Sequence, residues 1–570
     1  MVKKILNIFN KETSGINEAA FLLGLFAFVS QLLGLFRDRA LAHYLGPSKP
    51  LDVYYAAFRV PDFLFISIAS IVSITVLIPF LINKLSKGEG EEKKEAKKFF
   101  NDIFTAFFFG MIFICFIAFL LMPYIAPYIA PGFGASELHD LVVASRIMLL
   151  SPILLGLSNL FGTITQVNKK FLIFSLSPVF YNLGIIIGIF FFYPIWGVYG
   201  LIVGVVFGAL LHLLIQLPIA FKHGFRPSFS RKIDWVQMKK VVLTSFPRTI
   251  ALSLYNISII TIIAFASTIK EGSISIFNFA FNLESVPVGI IGISYSVAAF
   301  PTLAKTFSLG DREKFVKQIT ASLKQIIFWS LPVVFLFVVL RAQIVRVILG
   351  SGSFTWDDTR LTAACLAIFS FSIIAQNLLQ LFTRGYYAAG KTKRPLIINL
   401  IFYFLIIALC YILLRAFNNF PYFKYFMESI LRVEDIKGTA LLVLPLAYTI
   451  GTLLNLTAMW ISFKNDFFKE FSLSISKTFF QSFSASFIMG TVAYQFLSVF
   501  DNVFDINRFW GVLLQGLCSG LIGIIVGVIM LKLLKNEELE SIIKTLKSKF
   551  WKTKITVSPQ DDLQGISGNI

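Results

Sequence analysis

The chain has 570 residues, of which 56% are hydrophobic and 14% are charged, and its formal net charge is +20. No soluble globular domain buries that much apolar surface, so the composition excludes a soluble enzyme or binding module and indicates a polytopic membrane protein. The apolar runs are long and continuous. Because backbone polar groups must be satisfied within each segment in lipid, we predict an all-α fold.

Apolar stretches long enough to cross a bilayer as helices recur along the whole chain. They predict about fourteen spans, arranged as six, a further six and two more. The predicted bounds are 17–36, 53–82, 99–123, 140–166, 171–193, 196–221, 241–267, 274–300, 325–349, 358–384, 394–415, 438–463, 475–499 and 508–534.

These spans divide the chain into five parts. A cytoplasmic segment, 1–16, precedes an N-lobe at 17–223 and a C-lobe at 224–464. Two extra helices occupy 465–535. The tail, 536–570, begins as a basic amphipathic helix and ends in a polar segment whose composition is typical of disorder.

The two groups of six spans repeat one another at an offset of about 220 residues. The segment Pro-Phe-Leu-Ile-Asn at 79–83 corresponds to Pro-Thr-Leu-Ala-Lys at 301–305. The Pro-Gly-Phe-Gly turn at 131–134 corresponds to Gly-Ser-Gly-Ser-Phe at 350–354. A repeat of several spans indicates two pseudo-symmetric bundles, and such pairs usually enclose a transport path.

Lysine and arginine are concentrated in alternate loops. The connections at 84–98, 222–240 and 305–324 are basic, whereas 124–139 and 193–196 contain no Lys or Arg. The positive-inside rule therefore places the basic loops and both termini in the cytoplasm. Since the charge is spread over short loops, it favours attraction to anionic phospholipids and not nucleic-acid binding.

One connection departs from this charge pattern. The loop between spans 11 and 12 should lie outside, yet it is basic. It carries Arg415, Lys424, Arg432 and Lys437.

The densest group of charges within the spans lies at spans 1 and 2. Arg37 and Asp38 end the first span, and Asp52, Arg59 and Asp62 fall on one face of the second. Charges inside spans are costly and usually face a polar cavity or a partner. Two interpretations stay open: a self-neutralising structural network, or part of a hydrated cavity for an anionic headgroup, to which the arginine fork is suited.

The equivalent region of the second half, spans 7 and 8, is less charged. Arg248 and Asn256 lie in span 7, and Asn282 and Glu284 lie in span 8. Asparagines in such positions often only bond neighbouring helices. We expect Glu284, an acid at mid-span, to be protonatable or linked to an ion, and pairing with Arg248 or Arg59 is one alternative.

Signals of catalysis and metal binding are absent from the sequence. The four histidines are scattered, and Gly-Lys-Thr at 390–392 lacks the upstream glycines of a Walker loop. The four cysteines fall within apolar spans, which is typical of packing residues. We therefore predict a transporter without catalytic residues, metal or cofactor, whose transport is coupled to membrane potential or to an ion of unknown identity.

The chain resembles the MurJ (MviN) family of lipid II flippases over about residues 17–535. The resemblance rests on short motifs that follow one another in order. They are Leu-Gly-Leu-Phe-Arg-Asp at 33–38, Asp-Val-Tyr-Tyr-Ala-Ala-Phe-Arg-Val-Pro at 52–61, Phe-Pro-Thr-Leu at 300–303 with Gly-Asp at 310–311, the turn at 349–359 and the loop at 384–395.

This resemblance implies alternating access between two lobes. Lipid II, a polyprenyl-pyrophosphate lipid, would be carried to the outer leaflet of the bacterial inner membrane for peptidoglycan synthesis. Its headgroup would occupy a cationic central cavity, and spans 13 and 14 would supply a groove for its tail. Membrane phospholipids and cell-wall synthesis proteins are the other implied partners. The alternatives are a flippase for another polyprenyl-linked oligosaccharide, of the O-antigen type, and a cation-coupled multidrug antiporter of the same fold.

Family site residues map onto Arg37, Asp38 and Asp52. Together with the residues identified from spacing, they give one predicted headgroup-cavity set. Its members are Arg37, Asp38, Asp52, Arg59, Asp62, Arg248, Asn256, Asn282 and Glu284.

The sequence departs from the family at three arginine positions. These positions hold Gln31, Phe65 or Ile66, and Asn282. Whether Arg59, Arg248 or Arg146 replaces the missing arginines stays open at this point.

Overall fold

The computed structural model describes residues 16–69, 77, 81, 91–467 and 473–551, which form helices at every predicted span and no strand. We number the spans α1 to α14. They are α1 Ile16–Leu45, α2 49–69, α3 Glu91–Ile129, α4 Ala135–Val167, α5 Phe171–Trp196, α6 Val198–Lys222, α7 Trp235–Ser267, α8 Ser273–Ser308, α9 Arg312–Val339, α10 Trp356–Ser370 with Ser372–Ala388, α11 Lys393–Asn419, α12 Thr439–Phe467, α13 Leu473–Asp501 and α14 Phe509–Leu533.

Within the described residues, ten helices are long and apolar enough to cross a membrane. The two segments of α10 meet at 42° and together make an eleventh. This result is consistent with about fourteen spans and makes the chain an all-α multi-pass membrane protein. Residues 1–15 of the predicted segment 1–16, and the polar end of the tail at 552–570, lie outside the described residues.

Wide turns and prolines bend the spans that line the lobe boundary. The second span consists of Lys49–Ala57, Arg59–Leu64 and a π-helical turn at Phe65–Ala69. In α8 a π-helix over Val288–Ile293 directly follows Pro287. Because proline removes one backbone hydrogen bond and clashes with the preceding turn, it favours such a break.

Glycines allow α5 and α6 to approach closely. A Cβ atom at Gly188 would lie 2.5 Å from the Cα of Gly204, and one at Gly184 would lie 2.2 Å from the Cα of Gly208. In lipid, helix association depends on close van der Waals contact, so small residues determine this pairing.

The buried apolar clusters show where the two lobes meet. One cluster joins both lobes in the half of the molecule opposite the basic loops and includes Ala56 and Phe277. Toward the basic loops, a second cluster around Phe100 of the N-lobe also includes Met238 and Val241 at the start of α7, and a third lies around Phe382 within the C-lobe. The larger of the two apolar clusters that join the lobes therefore lies at the end opposite the basic loops.

A further helix follows α14, within the predicted tail, and spans Glu537–Trp551. It returns to the basic-loop end, where Lys324 of α9 and Lys477 of α13 approach Glu537 at 3.6 and 3.1 Å. The hydroxyl of Thr478 donates to Glu538 at 3.1 Å. The tail helix is thus fixed to the α9–α13 pair.

Candidate functional site at the lobe boundary

An arginine–aspartate pair on α1 reaches across to α8. The Arg37 guanidinium donates to Oδ1 of Asp38 through Nε at 2.9 Å and Nη2 at 2.8 Å, and its Nη1 lies 3.4 Å from Oδ1 of Asn182 in α5. The second carboxylate oxygen of Asp38 accepts from Nδ2 of Asn282 at 2.9 Å. The pair is therefore neutralised within the N-lobe and bonded to the C-lobe.

Asp52 caps the beginning of α8 from the opposite lobe. Its Oδ2 accepts from the backbone N–H of Gly272 at 2.7 Å, and its Oδ1 accepts from the N–H and the hydroxyl of Ser275 at 2.8 and 2.6 Å. Gly272 has φ +83°, a left-handed conformation that favours glycine. A carboxylate at a helix N-terminus satisfies orphan N–H donors and complements the helix dipole, so Asp52 joins the lobes in this conformation.

Arg59 makes the next contact between the lobes. Its Nη2 donates to Oδ1 of Asn278 at 2.7 Å, while its Nε is buried without a hydrogen-bond partner among the described residues. Asp62 follows one turn later on the same helix and is partly exposed. Arg59 therefore keeps donor capacity that the protein does not use here.

The contacts continue toward the basic loops. The hydroxyls of Ser67 in α2 and Ser253 in α7 are 2.7 Å apart. Gln31 approaches α8 so closely that a Cβ at Gly289 would lie 2.7 Å from its Nε2. We name the whole set the cross-lobe seam. It comprises Arg37, Asp38, Asp52, Arg59 and Ser67 on the N-lobe side and Ser253, Gly272, Ser275, Asn278 and Asn282 on the C-lobe side.

Two predicted cavity residues lie away from this seam. Glu284 is fully buried between α8 and α10, where its Oε1 accepts from Ser372 at 2.9 Å and from Gln376 at 2.5 Å. Its Oε2 has no hydrogen-bond partner in the described part of the chain. Asn256 donates to the backbone oxygen of Leu252 in its own helix at 2.9 Å. In this conformation Glu284 bonds α10, and Arg59 bonds Asn278 of α8.

The remaining arginine candidates differ in position. Arg248 belongs to α7, but its side chain lies outside the described residues. Arg146 donates through Nε to the backbone oxygen of Phe119 at 3.0 Å, and its guanidinium stacks 4.5 Å from the ring of that residue. Arg146 therefore faces α3. Arg59 bonds α8 directly.

Sequence reasoning missed several partners of the predicted residues. Asn182 orients Arg37 from α5, and Ser275 completes the cap made by Asp52. Ser372 and Gln376 bind Glu284 from α10. Their spacing of four residues within an apolar span is a helical polar face, which could have indicated that α10 receives a polar group.

Two cavities lie on the side opposite the basic loops. The larger, of about 310 Å³, is bounded by α7 and α11 and includes Thr261 and Arg415. The smaller, of about 140 Å³, includes Lys270 and Asp357. No member of the predicted headgroup set lines either cavity, so neither of them supports that assignment.

Comparison with known proteins decides the family. The family model described as "Lipid II flippase MurJ" matches residues 41–515. The chain belongs to the lipid II flippase MurJ family. This membership confirms the expected class, a transporter and not an enzyme.

Two relatives show the extent of the similarity. A "Probable lipid II flippase MurJ" of Thermotoga maritima is 26% identical over 535 residues, which cover 92% of this chain and 98% of the relative. A protein of Borreliella burgdorferi with the same description is 27% identical over 391 residues, covering 67% and 74% of the two chains.

Solved structures share the fold. A structure described as "Lipid II flippase MurJ, inward closed conformation" aligns with a TM-score of 0.70 at 22% identity and covers 92% of this chain and all of its own. An inward-facing multidrug resistance MATE family transporter of the MOP superfamily aligns with a TM-score of 0.62 at 14% identity, covering 81% and 98%. At these identities the likeness concerns the fold alone.

Proposed function

We propose that this chain flips lipid II, the lipid-linked peptidoglycan precursor, from the cytoplasmic to the outer leaflet by alternating access. The observation that carries the proposal is the cross-lobe seam. Asp52, Arg59 and Asp38 each bond a residue of the opposite lobe. Most of the seam lies in the half of the molecule opposite the basic loops. It therefore has to open before a headgroup can leave on that side.

The proposed headgroup ligands are the two seam arginines. When the lobes separate, Asn282 leaves Asp38, and Asn278 leaves the Arg59 guanidinium. The Nε–H of Arg59 is buried and already without a partner among the described residues. Separation of the lobes also frees its Nη2, which now donates to Asn278. A planar guanidinium that stays charged when desolvated matches the oxygens of a pyrophosphate. In this account Arg59 supplies charge that the family places at other positions.

The other members of the predicted set take different roles in the proposal. Asp38 orients Arg37, and Asp62, Asn256 and Arg248 stay proposed lining residues. Asp52 holds the seam closed. The polyprenyl tail of the lipid would lie along the α13–α14 pair. The proposed protein partners are the cell-wall synthesis proteins that polymerise the flipped precursor.

Orientation and energy source are also proposals. The basic loops and both termini would face the cytoplasm of a bacterium, so the described conformation is closed toward the outside. Transport would be driven by membrane potential, worth about 2.3 kcal/mol per charge per 100 mV, or by an ion. For an ion, the proposed group is Glu284, whose free Oε2 a proton or a monovalent cation would satisfy.

Complementation tests the substrate. A bacterium depleted of its own lipid II flippase should grow when it produces this chain. Arg37→Gln and Arg59→Gln should abolish this rescue while the protein stays in the membrane. Arg146→Gln is the matched control, because Arg146 contacts Phe119 of α3 and lies away from the seam.

The outcomes separate the alternatives. Full rescue by both seam variants would contradict the headgroup assignment. Failure of the unmodified chain, combined with rescue of a strain that lacks an O-antigen flippase, would replace lipid II by another polyprenyl-linked oligosaccharide. Reduced accumulation of cationic dyes that depends on Glu284, without growth rescue, would favour a drug antiporter.

A further inference from the structure

The basic connection between α11 and α12 breaks the charge pattern of the other loops on its side. One of its four cations, Arg432, immediately follows the short helix Pro421–Leu431. A basic loop on the side that the positive-inside rule leaves poor in cations calls for a local reason.

Arg432 bonds a tyrosine of α13 and lies within electrostatic range of a second arginine. Its Nη2 donates to the hydroxyl oxygen of Tyr494 in α13 at 3.2 Å. Arg341 begins the short helix Arg341–Leu349 after α9, and it interacts electrostatically with both Arg432 and Tyr494. Burial, followed by the positive charge of Arg432, lowers the pKa of Arg341. The two guanidinium groups are therefore close enough for their charges to interact. Nη1 of Arg341 also donates to the backbone oxygen of Val338 at 3.2 Å.

Two acids of neighbouring segments are bound to other groups. Arg360 holds both carboxylate oxygens of Asp435 at 2.6 and 2.7 Å, and this bond lowers the pKa of Asp435 below its ordinary value. Asp501 accepts a hydrogen bond from Gln515. Within the described residues, no ion pair of 4.0 Å or less reaches Arg341 or Arg432. The positive charge of the site is therefore left for an external anion.

The backbone fixes Arg432 in place. Its φ is +59°, a left-handed conformation that is uncommon for a residue other than glycine. Nη2 of Arg360 donates to the backbone oxygen of Arg432 at 2.7 Å, and the Asp435 contact fixes the same loop. The guanidinium is thus presented from a constrained turn, which lowers the entropic cost of binding.

An apolar path on α13 ends at this site. Phe480, Phe483 and Phe487 are exposed and share one face of α13 with Tyr494, at spacings of three, four and seven residues. Phe335 of α9 packs edge-on against Phe483, with ring centroids 5.4 Å apart. A hydrocarbon chain lying along this face would bring its headgroup to Arg432.

We propose that Arg341, Arg432 and Tyr494 form a binding site for the phosphate headgroup of a membrane lipid whose chain lies along α13. The two guanidinium groups bind phosphate oxygens, and the Tyr494 hydroxyl, which accepts from Arg432, donates its own proton to a third oxygen. In the proposed orientation the site faces the outer leaflet. The phosphate belongs either to the flipped polyprenyl pyrophosphate or to an anionic phospholipid.

Lipid retention by the full chain, measured by native mass spectrometry in detergent, tests this site. The probes are undecaprenyl pyrophosphate, dioleoyl phosphatidylglycerol and neutral dioleoyl phosphatidylcholine. One variant combines Arg341→Gln with Arg432→Gln. The other carries Arg432→Gln alone, and because Arg432 is exposed, this substitution leaves folding intact. Arg508→Gln is the matched control, because Arg508 is an exposed arginine paired with Asp505 at 3.2 Å.

The double variant should lose at least tenfold in retention of the anionic lipids, Arg432→Gln alone should lose less, and the control should match the unmodified chain. A loss confined to undecaprenyl pyrophosphate identifies the flipped lipid, and an equal loss of both anionic lipids identifies the phosphate in general. Unchanged retention of the anionic lipids by both arginine variants would overturn the proposal. Retention of phosphatidylcholine by the unmodified chain at the same level as the anionic lipids would also overturn it. The assay contains no transport step, so its result is independent of complementation.

Discussion

At the scale of single residues, the lobes are joined by a few strong polar contacts. Asp52 makes three hydrogen bonds to α8, and Arg59 and Asp38 make one each. Hydrogen bonds to charged groups contribute roughly 1.5 to 3 kcal/mol each. A transporter has to break such contacts in every cycle. Because each contact stabilises the closed state, a small number of them keeps the free energy of opening low.

Removing the cap should favour opening. We expect Asp52→Ala to destabilise the closed end by about 1 to 2 kcal/mol, because two backbone N–H groups at the start of α8 lose their acceptor. Ala280→Cys, fully buried in the shared cluster, should then react about tenfold faster with an impermeant thiol reagent. Thr355→Ala is the control, because it removes a helix cap within the C-lobe. Equal labelling of both variants would contradict the role of Asp52.

Glu284 should affect coupling and leave folding intact. Glu284→Gln keeps an oxygen for Ser372 and Gln376 but removes the group that a proton or cation would occupy. We expect transport by reconstituted protein to lose its dependence on pH or on a cation gradient. Glu428→Gln, a buried acid bonded to Thr439, is the matched control. An unchanged gradient dependence in Glu284→Gln would exclude this residue from coupling.

At the scale of helices, close backbone contact maintains the N-lobe as one body. In Gly204→Ala, the new Cβ would lie 2.5 Å from the Cα of Gly188, which forces α5 and α6 apart. We expect a loss of about 1 to 3 kcal/mol in stability and a lower unfolding temperature in detergent. Gly110→Ala in α3 is the control, since nothing lies within 4 Å of its Cβ. A matching decrease in that control would show that contact between α5 and α6 is not the cause.

Docking of the tail helix should depend on pH. The hydrogen bond from Lys477 lowers the pKa of Glu537 below its ordinary value. The stabilisation is therefore complete above the ordinary glutamate pKa, about 4.3, and is lost as the pH falls through the lowered value. Hydrogen exchange of residues 537–544 should accelerate in that acidic range. Glu537→Gln should exchange fast already at pH 7, unlike the exposed Glu540→Gln, and equal protection in both would contradict this contact.

At the scale of the whole molecule, sequence patterns determined the architecture. Hydropathy predicted helices at every span, and the motifs at 33–38 and 52–61 indicated the family that the match over 41–515 shows. The lobes repeat one another in sequence, yet the larger shared cluster joins them at the end opposite the basic loops.

The polar contacts were harder to predict. Spacing along one helix placed Asp52 and Arg59 on a common face, but it carries no information about the partner helix. That Asp52 would bond Gly272 and Ser275 depends on how two distant segments meet. Glu284 was predicted near the cavity, whereas packing turns it toward α10. Sequence thus indicated a set of polar candidate residues, and the tertiary structure decided what each one contacts.

The most direct test of the account locks the seam. Oδ1 of Asp52 and Oγ of Ser275 are 2.6 Å apart, so Asp52→Cys with Ser275→Cys should form a disulfide between the lobes once the partly exposed Cys518 is replaced by Ser. Ser330→Cys with Asn377→Cys is the control, because these two side chains bond one another within the C-lobe at 2.8 Å. In proteoliposomes, oxidation should stop translocation of lipid II in the seam pair alone, and reduction should restore it. Translocation at an unchanged rate by fully cross-linked protein would contradict transport by separation of the lobes.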